Sequence, residues 1–358
     1  MSEPRIFLSP PWVGPEERAS VGLAFDSGYV APCGPLVDAF ERELAKLAGR
    51  KYAVAVASGT AALDLIMAHL GVDASWTVVA PTLTFVATVG PAHHRGARLV
   101  FVDCDETGDV DCSLLEQALT ACKGGKVLVL GVDLYGRCCD YGRISRLCRR
   151  YGAVYVSDSA EAVGAVAANG KPAGSAGLAA VYSFNGNKII TTSGGGAVLT
   201  DSKRLADHVR KLAQQSRENC VWYEHREVGY NYRMSNLLAG VGLAQLKKLP
   251  AILKARRRNR SFYLRCGLEC LPAGSGNHWL TVAVLESERL RDRMLQRLAE
   301  ANIEARPVWK PMHLQPVFAG CPVFGGEVAE TLFRRGICLP SGTGLSKEDL
   351  ARISAVLV

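Results

Sequence analysis

The chain has 358 residues, more than one hydrophobic core usually serves, so a large domain with a smaller one attached is expected. Hydrophobic residues make up 48% and charged residues 21%, which excludes a disordered or fibrous chain. Lys plus Arg number 42 against 34 acidic residues; the net charge of +8 suits a doubly negative, diphosphate-bearing substrate, while the densest basic run, Lys254 to Arg260, lacks the interleaved aromatics of a nucleic-acid contact.

The N-terminal stretch Met1 to Pro11 lacks the basic flank and apolar core of a secretory signal, and no later apolar run approaches membrane-spanning length, so a cytoplasmic location is expected. The twelve cysteines are scattered without any Cys-x-x-Cys, which argues against a zinc site and for reduced core thiols. No metal is expected.

Short apolar runs follow in chain order: Tyr52 to Ala57, Val78 to Ala80, Arg98 to Val102, Val127 to Val132, Ala153 to Val156, Ala179 to Ser183 and Ala197 to Leu199. Amphipathic stretches such as Ala61 to Leu70, Leu114 to Cys122 and Tyr141 to Tyr151 lie between them. This alternation predicts an α/β fold, a mostly parallel sheet between helices. After Thr200 the pattern turns helical, over Asp201 to Gln214 and Ser235 to Leu246, and Pro250 is expected to break it. The boundary is therefore placed there: residues 1–248 form the large domain. Residues 249–358 form a smaller α+β domain, with a strand around Trp279 to Leu285 and helices over Glu286 to Ala301 and Ser346 to Leu357.

Ligands of such sheets collect outside the carboxyl ends of the strands. Ser58, Asp158 and Lys188 all fall there. Lys188 follows the apolar strand Val181-Tyr182-Ser183 and precedes the glycine turn Gly194-Gly195-Gly196. Taken alone it reads as a solvated loop lysine. Asp158, thirty residues upstream, ends another apolar strand. A lysine for an aldehyde and an acid for a pyridinium nitrogen are the protein groups that pyridoxal phosphate needs. Ser58-Gly59-Thr60-Ala61-Ala62-Leu63 opens a helix with small residues; its amides and dipole make a phosphate cup at Gly59 and Thr60, with a plain N-cap as the alternative. Ser183 is placed to donate a further hydrogen bond to the phosphate. Phe85 either stacks on the pyridine ring or fills the core. Glu161 either faces the cofactor's phenolic oxygen or the substrate, or is a solvated helix residue.

Several blocks in order carry a family resemblance: Ser58 to Leu63, Asp158-Ser159-Ala160-Glu161-Ala162, Ser183 to Lys188, Gly229 to Ser235, and Arg306 to Pro316. The chain resembles the fold-type I pyridoxal-phosphate enzymes of the DegT/StrS nucleotide-sugar aminotransferase family from Phe7 through nearly its whole length. Within that family, Ala24 to Pro32, Arg217 to Cys220 with Tyr223-Glu224-His225, Asn185 to Gly196 and Gly336 to Thr343 resemble the transaminases of bacillosamine synthesis. Those enzymes aminate C4 of a UDP-linked 4-keto-6-deoxy-N-acetylglucosamine with L-glutamate as donor, in bacterial glycan synthesis and protein glycosylation.

The resemblance implies that Lys188 acts as the base and Asp158 as the partner of the ring nitrogen. It also implies a homodimer in which Asn231 reaches the phosphate of the other subunit's cofactor, and nucleotide-sugar contacts from Tyr29, Ala31, Pro32, Arg306, Trp309 and His313. The family's dehydratase branch has histidine where Lys188 stands, so dehydration is not expected. Two departures touch the substrate contacts: Glu161 stands where many members have Gln or His, and Ser193-Gly194-Gly195-Gly196 where many have Gly-Glu-Gly-Gly. The alternatives are a GDP- or dTDP-linked keto-sugar as substrate, or a non-catalytic regulator that binds pyridoxal phosphate.

Overall fold

The computed structural model describes residues 3–357. Two helices, α1 (Pro15–Asp26) and α2 (Pro35–Ala48), precede β1 (Tyr52–Val56) and α3 (Gly59–Leu70). There follow β2 (Trp76–Pro81), α4 (Gly90–His94), β3 (Arg98–Val102), α5 (Cys112–Ala121), β4 (Lys126–Val132), α6 (Tyr141–Tyr151), β5 (Val154–Asp158), β6 (Ala179–Ser183) and β7 (Gly196–Thr200). The second part comprises α7 (Lys203–Ala213), α8 (Asn236–Arg265), β8 (Thr281–Val284), α9 (Glu288–Glu300), β9 (Arg306–Pro307), β10 (Val323–Phe324), α10 (Glu327–Arg335), β11 (Gly336–Leu339) and α11 (Lys347–Leu357).

The large sheet has the order β1-β7-β6-β5-β4-β2-β3-β10. β7 runs antiparallel to both of its neighbours, and the other pairs are parallel. The interior strands are buried on both faces, as their near-continuous apolar runs require. Apolar clusters cover both faces of the sheet, one built around α3 and α7 on one face, and two around α5 with α6 and α2 with α8 on the other. The small antiparallel sheet β8-β11-β9 packs with α9 and α11 around its own core.

Pro250 does not break the helix: α8 runs through it over 30 residues. Packing against α1 and α2 holds α8 together, and tertiary contact of this kind outweighs the ~3 kcal/mol that an interior proline costs. A boundary between residues 248 and 249 is thus not marked by any interruption. β10, from the C-terminal third, also joins the large sheet beside β3. Residues 15–48 carry two helices outside the expected elements: α1 has no apolar periodicity, whereas α2 buries Val37, Phe40, Leu44 and Ala48 at helical spacing. All twelve cysteines are free, and among the described residues no helix is long and apolar enough to cross a membrane.

Candidate active site

β1, β5 and β6 point the same way across the sheet, so Ser58, Asp158 and Ser183 emerge at one edge. A cavity of about 930 Å³ opens there. Gly59, Thr60, Phe85, Asp158, Glu161, Ser183, Lys188, Arg306 and Trp309 all line it.

Ser58 caps α3, its hydroxyl accepting from the Ala61 amide at 3.0 Å. The first-turn amides of Gly59 and Thr60 have no acceptor within the helix and sit at its positive end. A Cβ on Gly59 would lie 3.1 Å from the Ser183 Cβ, so Ser183 stands against the mouth of this helix. The N-cap is thus made by the Ser58 hydroxyl, and the amides of Gly59 and Thr60 remain free beside it.

Asp158 is buried at the end of β5. Thr88 donates to its Oδ2 at 2.7 Å, and the hydroxyls of Thr88 and Thr84 are themselves 2.7 Å apart. The Ala160 amide reaches Oδ1 at 3.2 Å. Burial pushes the Asp158 carboxyl up from its ordinary range, while Thr88, the Ala160 amide and the charge of Lys188 pull it down. A desolvated carboxylate with no cation in direct contact gains from a facing N–H of positive charge.

Lys188 follows β6 on the loop toward β7. Its Nζ is 3.3 Å from Glu161 Oε1 and 4.0 Å from the centroid of the Trp279 ring. Glu161 is buried, not solvated, and its Oε2 accepts the Tyr135 amide at 2.7 Å. Burial pushes the Glu161 carboxyl up to about 7, opposed chiefly by Lys188. Phe85 is 52% exposed, so it is not a core residue. Its ring lies 5.4 Å from that of Trp309, and Trp309 lies 5.1 Å from Tyr135, giving the cavity an aromatic wall.

Five expected residues do not line this cavity. Tyr29, Ala31 and Pro32 are exposed on the α1–α2 connection, where Asn236 holds the backbone by bonds to the Tyr29 and Ala31 carbonyls. Asn231 is exposed on the segment leading into α8 and bridges to Gln214. The ring of His313 is engaged elsewhere, with Nδ1 2.6 Å from Thr82 Oγ1 and Nε2 3.3 Å from Glu330. Conversely, Thr88, Trp279, Lys310 and the N-terminal stretch Phe7 to Pro11 line the cavity although sequence reasoning assigns them no part in it. Thr88 lies three residues after Phe85, so the segment was visible; its partner Asp158 is 70 residues away.

The residues fit pyridoxal phosphate. An amine, a buried acid held by a hydroxyl, a helix mouth for a phosphate and an exposed ring share one cavity, and each matches one part of that cofactor.

Comparison with known proteins gives concordant matches. The family model described as the DegT/DnrJ/EryC1/StrS aminotransferase family matches residues 12–358. A Bacillus subtilis protein named as a pyridoxal phosphate-dependent aminotransferase, EpsN, is 42% identical over 370 residues, covering 99% of this chain and 95% of its own. GDP-perosamine synthase of Caulobacter vibrioides is 35% identical over 366 residues, covering 99% and 98%. The PLP form of the Streptococcus pneumoniae sugar aminotransferase Spr1654 superposes with a TM-score of 0.91 at 26% identity, covering 100% and 98%; its PMP form gives 0.90 at the same identity, covering 99% and 98%.

Proposed function

The chain belongs to the DegT/DnrJ/EryC1/StrS aminotransferase family, and from that premise we propose that it transfers the amino group of L-glutamate to the keto carbon of a nucleotide-linked hexose, with pyridoxal phosphate as cofactor. The observation that carries this reading is the meeting of Lys188, paired with Glu161, and Asp158, held by Thr88, in one cavity beside the mouth of α3.

When bound, pyridoxal phosphate supplies an aldehyde for an amine and a ring that draws off the electrons of a carbanion. Lys188 Nζ would hold the aldehyde until an amino-acid substrate displaces it, and the freed amine would then take the proton from Cα of glutamate and later deliver one to the sugar carbon that comes to bear the amino group. Burial raises the Asp158 carboxyl and the hydroxyl of Thr88 opposes that rise; as a carboxylate it would hold a proton on the ring nitrogen. Gly59 and Thr60 would present amides to the phosphate, and Ser183 would add a hydroxyl. Glu161, 3.3 Å from Lys188 Nζ, would offset the charge of the amine inside the cavity. Phe85 and Trp309 line the cavity with apolar surface, while Lys310 and Arg306, the latter paired with Glu304 at 2.9 Å, supply positive charge for a diphosphate.

For the sugar, the blocks around Ala24 to Pro32, Arg217 to His225 and Gly336 to Thr343 favour a UDP-linked 2-acetamido-4-keto-2,4,6-trideoxyhexose. The names of the relatives do not carry that expectation. One of them is a GDP-perosamine synthase, which favours a GDP-linked keto-sugar as the second reading. Asn231, exposed and outside the cavity, is assigned to the other subunit's cofactor phosphate in a homodimer. The test is a side-by-side assay of UDP-, GDP- and dTDP-linked 4-keto-6-deoxyhexoses with glutamate, read as formation of the amino sugar. Turnover of the UDP compound alone supports the first reading, and turnover of the GDP compound alone replaces it with the second. A cofactor absorbance without product from any sugar would point to a regulator.

A further inference from the structure

Arg256 is 1% exposed, in the C-terminal third of α8. Among the described residues it forms no ion pair; burial alone acts on its guanidinium, lowering its pKa to about 9. A buried cation without an acid is costly and is retained where its hydrogen bonds do work. Those bonds go to two places. Nη1 donates to Ser9 Oγ at 3.0 Å and to the Trp279 carbonyl at 3.0 Å.

Each of these residues leads to the amine. Ser9 Oγ donates to the carbonyl of Asn187 at 2.8 Å, and Trp279 Nε1 donates to the same carbonyl at 2.6 Å. Asn187 immediately precedes Lys188, whose Nζ lies over the Trp279 ring. The Trp279 amide donates to Asn277 Oδ1 at 2.8 Å, and Asn277 Nδ2 donates to the Glu161 carbonyl at 2.7 Å. Both members of the Lys188–Glu161 pair therefore hang from one network, and Arg256 is where its branches join.

We propose that Arg256 is a positioning residue for the Lys188–Glu161 pair, acting through Ser9 on one side and Trp279 with Asn277 on the other, and that the N-terminal segment around Ser9 is part of the active site. This rests on the reading that Lys188 holds pyridoxal phosphate. The connection spans five separate stretches of chain, so fixing the pair requires the N-terminal segment, the long helix and the segment leading into β8 to be in place together.

The test uses the full chain with Ser9→Ala, Trp279→Phe, Arg256→Met and the conservative Arg256→Lys. The readouts are the dissociation constant of pyridoxal phosphate, the visible circular dichroism of the bound cofactor, which reports its orientation, and thermal melting. Ser9→Ala leaves the packing nearly unchanged and Trp279→Phe keeps an aromatic ring at that position, while each removes a hydrogen bond to Asn187. Each is expected to weaken binding by about tenfold and to change the dichroism. Ser9→Ala added to Arg256→Met is expected to cost less than the two losses combined, because both cut the same branch. Arg256→Lys is expected to recover part of the affinity lost in Arg256→Met. Should Arg256→Met fail to fold, Ser9→Ala and Trp279→Phe decide the matter. Affinity within twofold of wild type and unchanged dichroism in both, with or without a lower melting temperature, overturns the proposal and leaves the cofactor reading intact. Failure of the wild-type chain itself to bind pyridoxal phosphate overturns both.

Discussion

Replacing Thr88 with valine removes one hydroxyl and keeps the shape of the side chain. In the native cavity that hydroxyl donates to Asp158 Oδ2 at 2.7 Å and meets Thr84 Oγ1 at 2.7 Å. All three residues are buried, so water does not replace the lost bond. A hydrogen bond to a buried charged group contributes about 1.5–3 kcal/mol, and Thr84 is left without its partner as well. The Asp158 carboxyl, already raised by burial, rises further toward its neutral form, in which it no longer holds a proton on the ring nitrogen. A loss of about 2 kcal/mol at the proton-transfer step slows it about thirtyfold. The assay is stopped-flow absorbance of the cofactor-loaded enzyme mixed with glutamate in a single turnover. Thr88→Ser keeps the donor and is expected to stay within a few fold of wild type. A Thr88→Val enzyme that melts normally and reacts within twofold of wild type would refute the reasoning that Thr88 sets the state of Asp158.

Lys188→Ala is expected to abolish turnover, and steady product formation by the purified variant would remove Lys188 from the role of base. Glu161 carries a pH signature: its folded value of about 7 lies above its ordinary 4.5, so the folded chain holds a proton that the unfolded chain releases between those values. Stability from this group is greatest below pH ~4.5 and is lost as pH rises to about 7, on the order of 3 kcal/mol in total. Denaturant unfolding of the cofactor-free protein should show this slope and Glu161→Gln should lack it; parallel pH profiles for the two proteins would contradict the assignment. Gly196 packs on the turn that opens α3, where an added Cβ would lie 2.5 Å from the Gly59 nitrogen. Gly196→Ala is expected to cost about 1–3 kcal/mol and to weaken cofactor binding, measured by melting and by titration with pyridoxal phosphate, and an unchanged affinity would show that the cup lies elsewhere.

Much of this molecule is legible in its sequence because the sheet is buried on both faces. Arg98–Val102 and Ala179–Ser183 stand out as apolar runs with polar ends, and the residues after them fall where a parallel sheet places ligands. Lys188 and Asp158 stand out only together, each beyond such a run, because either one alone reads as an ordinary loop residue. The helix α1 is different, since it buries Glu17 against Gln245 and Lys248 and exposes Leu23 and Phe25, inverting the pattern that periodicity detects. Pro250 misleads because its cost is local while the packing of α8 is not. His313 shows the same limit at the site: the block from Arg306 to Pro316 lies close to the cavity, yet the backbone turns this ring toward Thr82 and Glu330. Trp279 meets the lysine loop from 92 residues away, a distance at which no local pattern reports contact.

The most direct measurement is single-turnover spectroscopy of the protein loaded with pyridoxal phosphate, first mixed with glutamate and then, after removal of excess donor, with the UDP-linked 4-keto-6-deoxy-N-acetylglucosamine or its GDP-linked counterpart. Amino transfer predicts that glutamate bleaches the absorbance of the aldehyde form and that a keto-sugar nucleotide restores it, with the amino sugar formed in equal amount to the enzyme. An absorbance that glutamate leaves unchanged, or one that no keto-sugar nucleotide restores, would contradict the account.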